Sequence, residues 1–190
     1  MSTSSDTLGT LSERAGQHAL ETARRVIQLF LETDRKPAVE TDEPALLRPA
    51  GVFVTLTKHG ELRGCIGTFE NGSPLIDNIN AMAVAAASRD PRFSPLRADE
   101  LDDCDLEISV LSPLRQATAD EVEVGKHGLE ISQGSNRGVL LPQVASENGW
   151  DRQTFLSHTC RKAGLPKNAW RDPSTTIEIF SAQIFSEKEK

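Results

Sequence analysis

Two hydrophobic periods alternate along this chain, and they divide it into helices and strands. Ala15, Ala19, Ala23, Val26, Ile27, Phe30 and Leu31 recur at helical spacing, which predicts one amphipathic helix over residues 11–33. Thr10 and Glu13 stand at capping-box spacing before it. Residues 34–49 hold Pro37, Pro44 and Pro49, so they are expected as an extended arm, because each proline disfavours helix at the residue before it. The period then drops to two. Val52, Val54 and Leu56 alternate with Phe53, Thr55 and Thr57, Lys58-His59-Gly60 reads as a turn, and residues 62–66 return as a partner strand. Ser73 and Pro74 open a helix with Leu75, Ile76, Ile79, Met82, Ala83 and Ala86 on its buried stripe. Asp90-Pro91 ends that region, and Leu106, Ile108 and Val110 mark another strand.

The second half repeats the scheme. Residues 129–132 and 138–141 form a hairpin turning through Gly134-Ser135-Asn136. Asp151 caps a following helix, with Trp150 and Phe155 at the staple positions and Phe155, Leu156, Thr159, Cys160 and Ala163 on its apolar face. Gly164 and Pro166 terminate it. One strand is expected over residues 175–185, with residues 1–10 a disordered tail and 188–190 a charged one. Gly60 to Gly64 and Gly134 to Gly138 share the pattern G-x-x-R-G, and each is followed by Glu-Asn-Gly and a helix. The pattern has two readings, a diverged duplication of a hairpin–helix unit or a chance recurrence of turn residues. Duplication predicts two similar subdomains facing each other across a cleft.

Composition narrows the function classes. The chain has 190 residues, with 21 Lys and Arg against 28 Asp and Glu, a net charge of −7. That balance argues against a general nucleic-acid coat, whose affinity rests on neutralising phosphates, though it leaves a local basic cleft open. The longest run of small and apolar residues, Ala81 to Ala87, falls far short of the ~20 residues of a membrane span. The first residues lack the basic start and apolar stretch of a secretory signal. Cys65, Cys104 and Cys160 are three cysteines at wide spacing, and there are four histidines. Neither a disulfide framework nor a zinc site is expected, and reduced thiols in the cytoplasm fit best.

The most specific feature is Leu62-Arg63-Gly64-Cys65-Ile66-Gly67. In a regular strand Arg63 and Cys65 share one face and Leu62 and Ile66 the other, so Leu62 and Ile66 are expected in the core. A guanidinium on the same face lowers the cost of a thiolate. Gly64 and Gly67 remove side chains beside the thiol, which lets a ligand or another backbone approach. The alternative is a packed, inert cysteine in a glycine-kinked strand, with Arg63 in a salt bridge.

This hexapeptide resembles the signature of the AMMECR-type domain family. Residues 85–93, 107–113, 125–129, 138–145 and 160–165 fit the same family in order, so the resemblance spans about residues 12–187. It implies an α+β protein of two subdomains, built mainly from antiparallel sheet flanked by helices, with a cleft near the hexapeptide strand. It also implies company with Memo-like and radical-SAM proteins as partners. It identifies no established reaction, and it does not say which cofactor, if any, takes part.

The other candidates divide between chemistry and structure. Arg92 is expected either to pair with a carboxylate or to bind a ligand anion. His127, before Gly128 at a strand start, is either a base near neutral pH or a turn residue. Glu107 lies opposite the apolar row of its strand, as a solvated position or a cleft carboxylate. Cys160 belongs to an apolar stripe. Cys104, flanked by Asp102, Asp103 and Asp105, is a poor nucleophile because like charges raise a thiol pKa. No phosphate loop, nucleophile elbow or metal motif is present. Two functions follow. One is an enzyme or enzyme subunit modifying protein or RNA, with Cys65 as nucleophile or redox thiol, Arg63 as its electrostatic partner and His127 or Glu107 as proton carrier. The other is a binding module that holds a peptide or small anion through Arg63, Arg92 and backbone donors.

Overall fold

A computed structural model describes residues 10–69 and 72–188, and the fold is α+β. Along the chain run α1 (Glu13–Thr33), β1 (Gly51–Lys58), β2 (Glu61–Thr68), α2 (Leu75–Ser88), β3 (Cys104–Leu111) and β4 (Arg115–Gln116). Then follow β5 (Gly128–Gln133), β6 (Asn136–Leu140), α3 (Pro142–Glu147), α4 (Arg152–Lys162), β7 (Thr176–Phe180) and β8 (Ala182–Ser186). These elements fall into two compact units, Met1–Leu111 with Gln183–Lys190, and Ser112–Ala182. Residues 1–9, Glu70, Asn71 and residues 189–190 lie outside the described residues, and with them most of the expected tails.

The first unit is a sheet of order β2-β1-β3-β8. Val52, Val54 and Leu56 of β1 and Leu106, Ile108 and Val110 of β3 form one apolar face, which shares a core with Ala19, Ala23 and Ile27 of α1 and Ile79, Ala83 and Ala86 of α2. The capping box at Thr10 does not form. Ser12 caps α1 instead and accepts the Ala15 N–H; the helix begins two residues later than expected, and Ala15 is the first of its residues to be buried. Pro74, not Ser73, occupies the cap position of α2. The β1–β2 turn uses two left-handed residues, His59 and Gly60, the conformation that matches a two-residue hairpin to strand twist. Near the C-terminus, Glu187 accepts the Leu106 N–H at 2.7 Å and pairs with Arg24, whose Nη2 lies 2.6 Å from Oε2. Lys188 pairs with Asp105 at 3.0 Å.

The second unit is a sheet of order β4-β7-β5-β6. Leu129, Ile131, Ile177 and Ile179 share its core with Phe155, Leu156 and Cys160 of α4. Asp151 caps α4 through the Thr154 N–H. Trp150 stacks flat on His158, with ring centroids 4.0 Å apart. The single strand expected over 175–185 is two strands in different sheets. Ser181 interrupts it, exchanging hydrogen bonds with Ser112, as acceptor from the Ser112 N–H and donor to its Oγ.

The two units repeat one connectivity. In each, a hairpin is followed by helix and then by a strand that pairs antiparallel with the first hairpin strand, giving the orders β2-β1-β3 and β6-β5-β7. The second adds the short α3. The shared glycines do the same work in both: a Cβ on Gly64 would strike the Ala86 carbonyl oxygen of α2, and one on Gly138 the backbone at Ala163 after α4.

Candidate functional site

The hexapeptide occupies β2, an edge strand, and its alternation is broken. Thr57 pairs with Leu62 but Leu56 pairs with Gly64, so Arg63 is an extra residue in a bulge. One inserted residue moves everything before it to the other face. Leu62 is therefore 41% exposed rather than buried in the core, whereas Ile66, beyond the bulge, packs against the core as expected. Gly64 is filled from behind by the α2 backbone and Gly67 from the front by the Phe53 ring. The approach permitted at these glycines is thus used by the protein's own atoms.

Cys65, Thr55 and Glu107 form one row across β2, β1 and β3, on the face away from the helices. The Thr55 hydroxyl donates to the Cys65 Sγ at 3.2 Å. Cys65 turns its N–H outward to Asp90 Oδ2 at 2.9 Å, so it meets Thr55 as the close, non-hydrogen-bonded kind of pair. Asp90 is 4% exposed and also accepts Arg92 Nε on Oδ1 at 2.9 Å and Arg92 Nη2 on Oδ2 at 2.6 Å. This guanidinium, with burial opposing and the Cys65 N–H assisting, holds the Asp90 carboxyl far below the usual carboxylate range. Arg92 is raised in turn by its hydrogen bonds to Asp90, with burial opposing.

Arg63 is employed elsewhere. Nη1 donates to Ser94 O at 2.9 Å and Nη2 to Glu100 Oε2 at 3.1 Å. It ties β2 to the loop that carries Asp90 and Arg92 and to the helical turn after it. Arg63 first, then the Arg97 N–H and Lys58, bring the Glu100 carboxyl down to about 2.

His127 belongs to the second unit, where its Nδ1 accepts the Glu123 N–H at 3.2 Å. Burial, with Lys126 assisting, lowers its pKa. Cys104 and Cys160 are buried, and burial pushes both thiols up. For Cys104 this replaces the neighbouring aspartates as the principal cause. No group of three or more His, Cys, Asp or Glu among the described residues is placed to hold a metal, and no described helix is long and apolar enough to cross a membrane.

Sequence reasoning missed Asp90 and Thr55. Asp90-Pro91 read as a helix stop, and the only signal for more was the acid–base spacing of Asp90 and Arg92. Thr55 reads only as one of the alternating positions Phe53, Thr55 and Thr57. The register that sets it against both Cys65 and Glu107 is a long-range fact.

Comparison with known proteins places these residues in a wider group. A family model described as AMMECR1 matches residues 20–185. A protein of Methanothermobacter thermautotrophicus is 45% identical over 185 residues, covering 93% of this chain and 96% of that one. A Methanopyrus kandleri protein is 41% identical over 190 residues, covering 95% and 91%. The crystal structure of an uncharacterized protein from Pyrococcus horikoshii matches with a TM-score of 0.89 at 37% identity, over 94% of each chain.

Proposed function

From the premise that the chain belongs to the AMMECR1 family, we propose that Cys65 is the reacting thiol of an enzyme, or of an enzyme subunit, that modifies a protein or RNA substrate. The observation that carries this reading is the hydroxyl of Thr55 donating to the Sγ of a half-buried cysteine. A donor aimed at sulfur stabilises the thiolate, which is the nucleophilic form. Glu107, on the far side of Thr55 in the same row, is the proton carrier in this reading. Arg92 supplies the nearby cation, and Arg63 anchors the loop that presents it. A working thiol needs a reducing compartment, so the reading carries a cytoplasmic location with it.

A second reading has its own support. The Arg92 side chain is 54% exposed, a cation suited to holding an anion while a Memo-like or radical-SAM partner performs the chemistry. Iodoacetamide labelling of the native chain at pH 7, followed by peptide mapping, separates the two. A reacting thiol gives Cys65 labelling at least about ten times faster than the buried Cys104 and Cys160, slowed by Thr55→Val and absent in Cys65→Ser. Equal and slow labelling of all three rejects the enzyme reading.

A further inference from the structure

We propose that Arg92, held by the buried Asp90, forms a subsite beside Cys65 for an oxyanion group of the ligand, a carboxylate or a phosphate. This rests on the reading that the Cys65 region of the first unit is the site, and it names the chemistry of what binds there.

The Asp90–Arg92 ion pair is asymmetric. The Asp90 side chain is 2% exposed and that of Arg92 is 54% exposed. An ordinary surface pair leaves both partners in water and contributes little. Here the carboxylate is sealed inward and the positive charge is presented outward.

Asp90 is also fully committed. Oδ1 accepts the Arg92 N–H at 3.1 Å and Nε at 2.9 Å, and Oδ2 accepts Nη2 at 2.6 Å and the Cys65 N–H at 2.9 Å. The two donors on Oδ2 come from the guanidinium and from the thiol-bearing residue, so the cation is fixed relative to Cys65 and not merely near it. Asp90 is thus a positioning residue, acting through Arg92.

The rest of the guanidinium remains for a ligand. Its inner edge, Nε and Nη2, faces Asp90, while Nη1 has no partner among the described residues. The Phe93 ring lies 5.4 Å from the guanidinium carbon, close enough to help hold the plane. A planar fork with its orientation already set loses little freedom on binding, and its geometry matches the oxygens of a carboxylate or phosphate. Because the whole chain carries −7, anion affinity here must come from this local arrangement and not from a general positive field.

The test is a binding measurement that does not depend on thiol reactivity. ¹⁵N-labelled chain is titrated separately with inorganic phosphate and with acetate at constant ionic strength, and the Cys65 amide and Arg92 Nε resonances are followed. A saturable shift at both resonances is expected with at least one probe, and the stronger probe identifies the oxyanion. Arg92→Gln should weaken that binding by about fivefold or more, and Arg92→Lys, which keeps the charge but loses the fork, should weaken it similarly. In both variants Asp90 keeps the Cys65 N–H and the N–H of residue 92 as donors; amide spectra retained away from Cys65 and residues 90–93 verify the fold, and binding to the variants is read at the Cys65 amide. Non-saturable shifts with both probes, or a loss under fivefold in Arg92→Gln, overturns the proposal. If binding holds while Cys65 labels no faster than the buried thiols, the subsite stands and the enzyme reading alone fails.

Discussion

Arg63→Ala separates a thiol-tuning role from a loop-anchoring one. Sequence periodicity makes Arg63 the partner of Cys65, so its loss would disturb the thiol and leave the fold intact. The structure reverses the expectation. The Arg63 side chain is 14% exposed and that of its partner Glu100 is 18% exposed, so the pair is shielded beyond the surface norm. The variant loses a charged hydrogen bond to Ser94 O and the Glu100 pair. Hydrogen bonds of charged groups contribute about 1.5–3 kcal/mol each. Glu100 keeps Lys58 at 3.3 Å and the Arg97 N–H at 3.1 Å, so it is not stranded. The net cost is on the order of 3 kcal/mol, which for a chain of this size lowers the thermal midpoint by roughly 6–12 °C. Differential scanning calorimetry reads the midpoint, and limited proteolysis reads release of the loop at residues 93–97. Cys65 labelling at pH 7 should change by less than about twofold, since the neighbouring cation is Arg92. A midpoint within about 2 °C of the wild type, together with a marked fall in Cys65 labelling, would refute the reasoning and restore Arg63 as the thiol's partner.

Two further outcomes follow from the same region. Gly64→Ala should cost about 3 kcal/mol and Gly67→Ala about 1 kcal/mol, because the first Cβ meets the fixed Ala86 carbonyl oxygen and the second the Phe53 ring, a side chain that can turn; equal urea midpoints for the two variants would contradict this. Glu100 is lowered from 4.5 to about 2, with Arg63 as the main cause. Its contribution to stability is therefore complete above pH 4.5 and disappears as pH falls through about 2. Glu100→Gln should flatten the stability–pH curve in that window, and an acid limb as steep as that of the wild type would remove Glu100 from the account.

Sequence alone determined most of what is local. The long first helix, both hairpins, the Asp151 cap and the left-handed Gly164 (φ +74) are set by side-chain period and by backbone preferences within a few residues, and these survive in the folded chain. The ordered motifs also placed the chain in its family. Boundaries set by competition between neighbours were less legible: Ser12 displaced Thr10 as a cap, and Pro74 displaced Ser73. Tertiary structure decided what depends on pairing across distance. The bulge at Arg63 brought Leu62 into solvent, since alternation predicts a face only while register is unbroken. Ser181 divided one apolar run between two sheets, because each half found a different core to fill. The row Cys65–Thr55–Glu107 and the buried Asp90 joining Cys65 to Arg92 draw on residues up to 52 positions apart. No local pattern encodes such a meeting; it exists because strand pairing and the burial of a carboxylate are satisfied only in the assembled fold.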